Sequence, residues 1–200
     1  MTMFDDAFLE ARARAVMPTD SAHDWWHVRR VWRLAQRIAR TEPTADMRVL
    51  QVAVFFHDVM PKRPEGGHAP VTAAWLADAL APLDAPLLLL ERAAEAINTH
   101  SFSRGAPPTS IEGAILQDAD RLDAMGAIGI ARCFAYGGAR GRAIYDPEDP
   151  TNSIQHFYDK LLRLRDGMHT AEGRRLAEAR HRVMEQFLAH FWREWEGEET

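Results

Sequence analysis

The spacing of the apolar residues constrains the fold of this chain more than any other feature. They recur every three or four positions along most of the sequence, and the helix-favouring residues Ala, Leu, Arg and Glu dominate it. Runs of β-branched residues are short. The repeat is clear over Val28, Val31, Leu34, Ala35 and Ile38, which share one face of a helix. The pattern therefore predicts an all-α protein.

Proline, glycine and capping residues divide the chain into predicted helices. We expect helices over about 3–16, 21–40, 46–58, 70–80 and 86–98, one from about 110 through 123, and two after about 154 that break near 167–173. Residues 60–67 and 100–108 are predicted loops, and 135–153, rich in Gly, Pro and Asp, is the longest irregular stretch and a candidate lid. No repeat or linker interrupts the chain, so we expect one domain over residues 1–200.

Charge and hydropathy exclude several classes of protein. The net charge of −5 does not favour general binding to nucleic acid or to an anionic membrane. No apolar run approaches the roughly 20 residues that a bilayer span needs, and the first residues do not resemble a secretory signal. The single Cys133 cannot form an internal disulfide, which fits a reducing compartment. We expect a cytoplasmic protein with a small-molecule partner, and we leave a homodimer open.

One apolar run ends in two polar residues that are costly to bury. Val52 to Phe56 is followed directly by His57-Asp58. An imidazole and a carboxylate lose their hydration when they are buried, unless a partner satisfies them. A divalent cation would satisfy both, since these groups are its ordinary ligands, and a histidine bonded to a carbonyl beside a helix-ending aspartate is the structural alternative.

Other residue types that bind metals lie on neighbouring predicted helices. His23 and His27 are four residues apart and share a helical face, a spacing that can chelate an ion. Asp118, Asp120 and Asp123 fall within two turns of a helix whose apolar residues indicate burial, so a metal or an arginine should neutralise them. The residues alone leave Asp118 and Asp120 as alternative ligands.

Taken together and in order, these segments resemble the HD-domain metal-dependent phosphohydrolases, most closely the small bacterial single-domain members. That family combines a lone His, an adjacent His-Asp pair and a distant Asp on different helices. The resemblance rests on the following segments: His23-Asp24-Trp25-Trp26-His27, His57-Asp58, His100-Ser101-Phe102-Ser103, Ala119-Asp120-Arg121-Leu122 and His156-Phe157-Tyr158-Asp159-Lys160.

The resemblance implies a helical HD-type bundle and a metal site. The metal-site core would cover about residues 20–135, and C-terminal helices over about 154–196 would pack on it. The implied ligands of one divalent cation, Mn²⁺, Fe²⁺, Co²⁺, Ni²⁺, Mg²⁺ or Zn²⁺, are His27, His57, Asp58 and Asp120. Asp120 is preferred to Asp118 because the Ala-Asp-Arg-Leu context carries the ligand in the family. A second ion, held through His68 or His100, is left open.

The function that the resemblance implies is hydrolysis of a phosphate ester or anhydride in a small phosphorylated compound, with a nucleotide as one candidate. Metal-activated water would be the nucleophile. The expected catalytic residues are Asp58, Lys62, His100 and Arg121. The expected substrate-binding residues are Trp26, Arg63, Arg140 and Arg142.

One departure from the family keeps alternatives open. Some members carry acidic residues shortly after the His-Asp pair, whereas this chain has Lys62 and Arg63, which could hold a phosphate instead. The alternatives are a non-catalytic nucleotide-binding or regulatory module, and a di-iron oxygenase or lyase. The di-iron alternative needs His68 or His100 as a ligand.

Overall fold

A computed structural model describes residues 3–17, 25–60, 69–81, 83–100 and 107–198 of the chain. Over these ranges the secondary structure is entirely helical, which confirms the all-α prediction. Within the same ranges, no helix combines the length and the hydropathy needed to cross a membrane.

The helices follow the predicted order with shifted ends. Their bounds are α1 Asp6–Val16, α2 Trp25–Ala39, α3 Met47–Phe56, α4 Ala73–Leu80, α5 Leu87–Thr99, α6 Ile111–Asp123, α7 Gly126–Gly138, α8 Ser153–His156 and α9 Ala171–Trp195. The chain forms two compact units, Met1–Asp120 and Arg121–Thr200, and the boundary falls within α6. The single domain over residues 1–200, with its core over about 20–135, stays a prediction.

Helix α3 is the central helix of the first unit. Every residue from Val49 to Phe56 is buried, and α3 packs against α1, α2 and α5. Its start is fixed by Asp46, whose carboxylate accepts a hydrogen bond from the backbone N–H of Arg48 at 3.0 Å. The end of α3 therefore lies inside the protein and places His57-Asp58 there.

In the second unit, the sequence pattern missed one helix boundary. The helix predicted through Asp123 ends there, and α7 starts after Met125 and extends to Gly138, into the stretch predicted to be irregular from 135. Gly126 has a φ of +66°, a conformation that glycine adopts without a steric penalty. A tight turn can therefore separate two helices without the proline or the polar run that usually marks a break.

The segment after α8 is helical but irregular. Phe157–Leu161 forms a π-helical turn and Leu162–Gly167 a 3-10 helix, so the predicted break near 167–173 is observed only at Met168 to Thr170. Thr170 caps α9 by accepting a hydrogen bond from the N–H of Gly173 at 2.9 Å. In this unit α7 packs against α8 and α9.

A buried carboxylate joins three helices of the first unit. Glu112 of α6 is fully buried. Its Oε1 accepts hydrogen bonds from the backbone N–H of Asp46 at 2.7 Å and from Arg92 Nη2 of α5 at 2.8 Å. One oxygen thus ties the start of α3 to α5 and α6.

Replacing this carboxylate should destabilise the protein. In Glu112→Ala, a backbone donor and a guanidinium lose their shared acceptor inside the protein, which should lower the free energy of unfolding by about 1–3 kcal/mol. Urea titration followed by circular dichroism measures this change. Glu91→Ala, on the exposed face of α5, is the matched control and should change stability by less than about 0.5 kcal/mol. Equal stability of the two variants would contradict the structural role of Glu112.

Candidate metal centre

Helix α2 carries His27 into the interior of the first unit. His27 lies on the apolar face of the helix, one turn before Val31, and only 1% of its surface is exposed. An amphipathic helix with its apolar face against α3 must bury every residue on that face. Burial of this imidazole therefore follows from its position in the helical repeat.

The end of α3 supplies the next two side chains. His57 is the C-cap residue of α3, and its Nδ1 lies 2.8 Å from the carbonyl oxygen of Val54. Since the carbonyl can only accept, Nδ1 carries the proton and Nε2 presents a lone pair to the cluster. Asp58 follows at once and is 6% exposed.

These side chains converge on one atom, His27 Nε2. It lies 3.2 Å from His57 Nε2, 3.4 Å from Asp58 Oδ2 and 3.4 Å from Asp120 Oδ1. His57 Nε2 and Asp58 Oδ2 are 3.5 Å apart. Three ligand-type atoms, from α2 and the end of α3, therefore lie close to one another, and Asp120 of α6 adds a carboxylate oxygen beside His27.

The spacing fits metal ligation. Two ligand atoms that each lie about 2.1 Å from one ion are about 3.0 Å apart at a right angle and about 3.4 Å apart at a tetrahedral angle. The distances of 3.2 to 3.5 Å in the cluster match these separations. His27, His57 and Asp58 thus form a buried group that could hold a divalent ion.

Asp120 belongs to the cluster through His27. Its side chain is 29% exposed, more than the side chains of His27, His57 and Asp58. The ligand atoms of those three residues all lie within 4.8 Å of one another, and Asp120 is not part of that group. Asp118 points to another face of α6 and is completely buried. The sequence-based choice of Asp120 as the fourth ligand agrees with its distance to His27 and stays a prediction.

The charges of the cluster suit metal binding. Burial raises the pKa of the Asp58 carboxyl, but the charge of His57 and hydrogen bonds with His100 and His27 outweigh it, so this pKa lies well below its usual value. At Asp120, burial also raises the pKa of the carboxyl, but the hydrogen bond and the charge of His27 outweigh burial and lower this pKa. Burial lowers the pKa of His57. Near neutral pH the carboxylates are thus ionised and His57 is neutral, the forms that bind metals.

His100 stands at the edge of this cluster. It is the C-cap residue of α5, its Nδ1 donates to the carbonyl of Ile97, and its Nε2 is 3.8 Å from Asp58 Oδ1. Burial lowers the pKa of His100, but interaction with Asp58 outweighs burial and raises it. A proton or a cation on Nε2 removes the repulsion between its lone pair and the carboxylate.

Sequence reasoning missed the groups that orient these side chains. The carbonyls of Val54 and Ile97 are backbone atoms, which no residue type reveals. The buried Gln117 donates from Nε2 to the carbonyl of Thr99 at 2.9 Å and so ties the end of α5, next to His100, to α6. The sequence signal that could have identified Gln117 is its position on the apolar face of α6, one turn before Asp120.

The other predicted site residues lie in varied surroundings. Trp26 is 60% exposed, with the Arg29 guanidinium 6.0 Å above its ring. Arg121 is buried and donates to the Gly167 carbonyl, and its Nη1 is 2.9 Å from His169 Nε2. Its catalytic role stays a prediction. The remaining predicted residues are Arg140 and Arg142, which lie in the second unit, and Lys62, Arg63 and His68, which fall outside the described residues.

The two histidines beside Asp58 should titrate in opposite directions in the metal-free protein. The pKa of His57 should lie below the usual value of an imidazole because burial disfavours the cation, whereas the pKa of His100 should lie above that value because Asp58 stabilises the cation. NMR of the imidazole nitrogens against pH, with metal removed by chelation, measures both. A lower pKa for His100 than for His57 would contradict the described geometry.

Comparison with known proteins identifies the family of this chain. The HD domain family model matches residues 25–125, which contain the whole cluster. The uncharacterized protein YpgQ of Bacillus subtilis is 42% identical over 173 residues, covering 84% of this chain and 82% of its own. The crystal structure of YpgQ in complex with ADP superposes with a TM-score of 0.78 at 34% identity, covering 94% of each chain.

A further solved structure extends the likeness. An HD-superfamily hydrolase from Bacillus thuringiensis superposes with a TM-score of 0.77 at 37% identity, covering 96% of both chains. The family match spans half of this chain, and the likeness in structure extends over nearly all of it. The resemblance drawn from the order of His27, His57-Asp58 and Asp120 is confirmed. This chain belongs to the HD-domain family and has the helical fold of the HD-superfamily hydrolases.

Proposed function

We propose that this protein is a metal-dependent phosphohydrolase that cleaves a phosphate ester or anhydride of a small phosphorylated compound, with a nucleotide as the leading candidate. The observation that carries the proposal is the convergence of His57, Asp58 and Asp120 on His27 Nε2 within 3.4 Å. The solved relative named as an HD-superfamily hydrolase adds support at the level of the reaction class.

A divalent ion bound by these ligands would lower the pKa of water and polarise a phosphoryl oxygen. Asp58 has two oxygens with different neighbours: Oδ2 faces His27 and His57, and Oδ1 faces His100. In the proposed site, Oδ2 would help to hold the ion, and Oδ1 would accept a hydrogen bond from the attacking water. His100, whose pKa is raised by Asp58, would be placed to donate a proton towards a developing negative charge.

The proposed substrate class rests on the relative, on the exposed Trp26 and on basic residues that follow the His-Asp pair in the sequence. YpgQ was crystallised with ADP, which shows that a protein of this fold accommodates a phosphorylated nucleoside. Trp26 precedes the ligand His27 in the chain and keeps 60% of its surface exposed, so its ring is available to stack on a base. Lys62 and Arg63 follow the His-Asp pair in the sequence and supply positive charge for phosphate groups.

The second candidate is a nucleotide-binding module without turnover. The complex of YpgQ with ADP supports this candidate, because nucleotide binding alone accounts for it. The basic residues after Asp58 also favour it, because they stand where some family members have acids. The two candidates differ in one measurable property, the release of phosphate or pyrophosphate.

Turnover should require the charge of Asp58. Purified protein with Mn²⁺, Co²⁺ or Mg²⁺ should release phosphate or pyrophosphate from members of a panel of nucleotides and phosphate esters. Asp58→Asn keeps the shape of the side chain and removes its charge. We expect kcat/KM to fall by at least about 100-fold, since the charge supports both the metal and the water.

The matched control is Asp84→Asn, which removes an exposed aspartate from the same unit. It should leave kcat/KM within about twofold of the original protein, because a solvated charge contributes little to a distant site. Turnover that is unaffected by Asp58→Asn would contradict the proposed site. Tight ADP binding in calorimetry with no turnover on any substrate would favour the binding module instead.

A further inference from the structure

Two arginines of the second unit share the face of one tyrosine. Arg140 and Arg142 flank Gly141 just after α7, and Tyr136 lies on the last turn of α7. The Arg140 guanidinium carbon is 3.7 Å from the centroid of the Tyr136 ring, and that of Arg142 is 5.6 Å away. The ring holds two positive charges close together, against their mutual repulsion.

The guanidinium groups keep their hydrogen-bonding capacity. Among the described residues, neither Arg140 nor Arg142 donates a side-chain hydrogen bond or forms a salt bridge, and the ring of Tyr136 is the contact of both. Arg142 acts on Asp149 electrostatically, but an oxygen of that carboxylate already accepts from the N–H and the hydroxyl of Thr151. Five donors on each planar group are therefore available to an outside acceptor.

The backbone that carries the pair is fixed. The N–H groups of Arg140 and Arg142 both donate to the carbonyl of Gly137, at 3.0 and 2.9 Å. Gly141 between them has a φ of +67°, which favours glycine and lets the chain reverse. Further along, Ser153 N–H donates to Ala143 O at 3.0 Å and holds the stretch against the start of α8. The stretch predicted to be a lid is thus tied down next to the arginines.

The charge of Arg142 is felt at one residue of α8. His156 is half-buried, and burial lowers its pKa. The positive charges of Lys160 and Arg142 lower this pKa further, against an opposing effect of Asp159.

We propose that Arg140 and Arg142, held together on the ring of Tyr136, form a binding site for the phosphate groups of a di- or triphosphate. Guanidinium groups bind phosphate oxygens through paired hydrogen bonds. A bound polyanion would relieve the repulsion among these cations. Phosphate binding here requires no hydrolysis at the metal-ligand cluster.

Calorimetric titration with inorganic pyrophosphate, in buffer that contains a chelator, tests the site without any bound metal. The original protein should bind pyrophosphate, and Arg140→Gln and Arg142→Gln should each weaken binding by at least about tenfold, the loss of one charge-assisted bidentate contact. Arg182→Gln is the control, because it removes an equal charge from an exposed position on α9. Its pyrophosphate affinity should stay within about twofold of that of the original protein.

Tyr136 provides a second pair of variants that does not alter the charge. As a positioning residue, it should be replaceable by phenylalanine, which keeps the ring, with pyrophosphate affinity unchanged. Tyr136→Leu removes the ring and should weaken binding by about three- to tenfold, since the cation–π contacts that orient both arginines are lost. A purely structural role would instead lower the thermal midpoint of Tyr136→Leu and leave the affinity of its folded form intact.

The phosphate groups can belong to the substrate or to a separate effector. If they belong to the substrate, pyrophosphate will inhibit turnover competitively and Arg142→Gln will raise KM. If they belong to an effector, KM will not change and pyrophosphate will alter turnover without competing. Absence of pyrophosphate binding to the original protein, or equal binding by Arg140→Gln, Arg142→Gln and Arg182→Gln, would overturn the inference even if the protein hydrolyses nucleotides.

Discussion

The contact of one imidazole nitrogen with three other ligand-type atoms is the constraint on which the first unit depends. His27 Nε2 has neighbours from the end of α3 and from α6 at 3.2 to 3.4 Å. Burying two histidines and a carboxylate costs free energy unless each group is compensated. The backbone carbonyl that receives His57 Nδ1–H and the hydrogen bonds of Asp58 with His27 and His100 supply part of that compensation, and a divalent ion would supply the rest.

The surrounding helices are consistent with that constraint. The central helix α3 is buried from Val49 onward, and Glu112 joins its start to α5 and α6. Gln117 then links α6 to the end of α5 beside His100. The helices that carry His57-Asp58, His100 and Asp120 are thus connected by polar contacts in addition to apolar packing. Such connections fix side chains to the precision that metal ligation requires.

Much of the fold and the core of the site could be predicted from the sequence. The helical period and the breaks marked by proline and glycine predicted most helices within a few residues, because these signals are local. The His57-Asp58 pair was recognisable because polar ligands ended an apolar run. The start of α7 was missed, because Gly126 turns the chain without a proline or a polar run. The stacking of Arg140 and Arg142 on Tyr136 could not be predicted from the spacing of residue types either, because it depends on how the chain reverses at Gly141.

The central claim is that the cluster around His27 Nε2 binds a divalent metal. The most direct measurement is the metal content of protein purified without chelator, determined by mass spectrometry for the original chain and for His57→Ala and Asp120→Ala, with exposed His190→Ala as the control. The account predicts about one ion per chain in the original and in His190→Ala, and a loss in the two ligand variants that exceeds the 10- to 100-fold effect typical of residues that only support a ligand. Equal metal in all four proteins would contradict it.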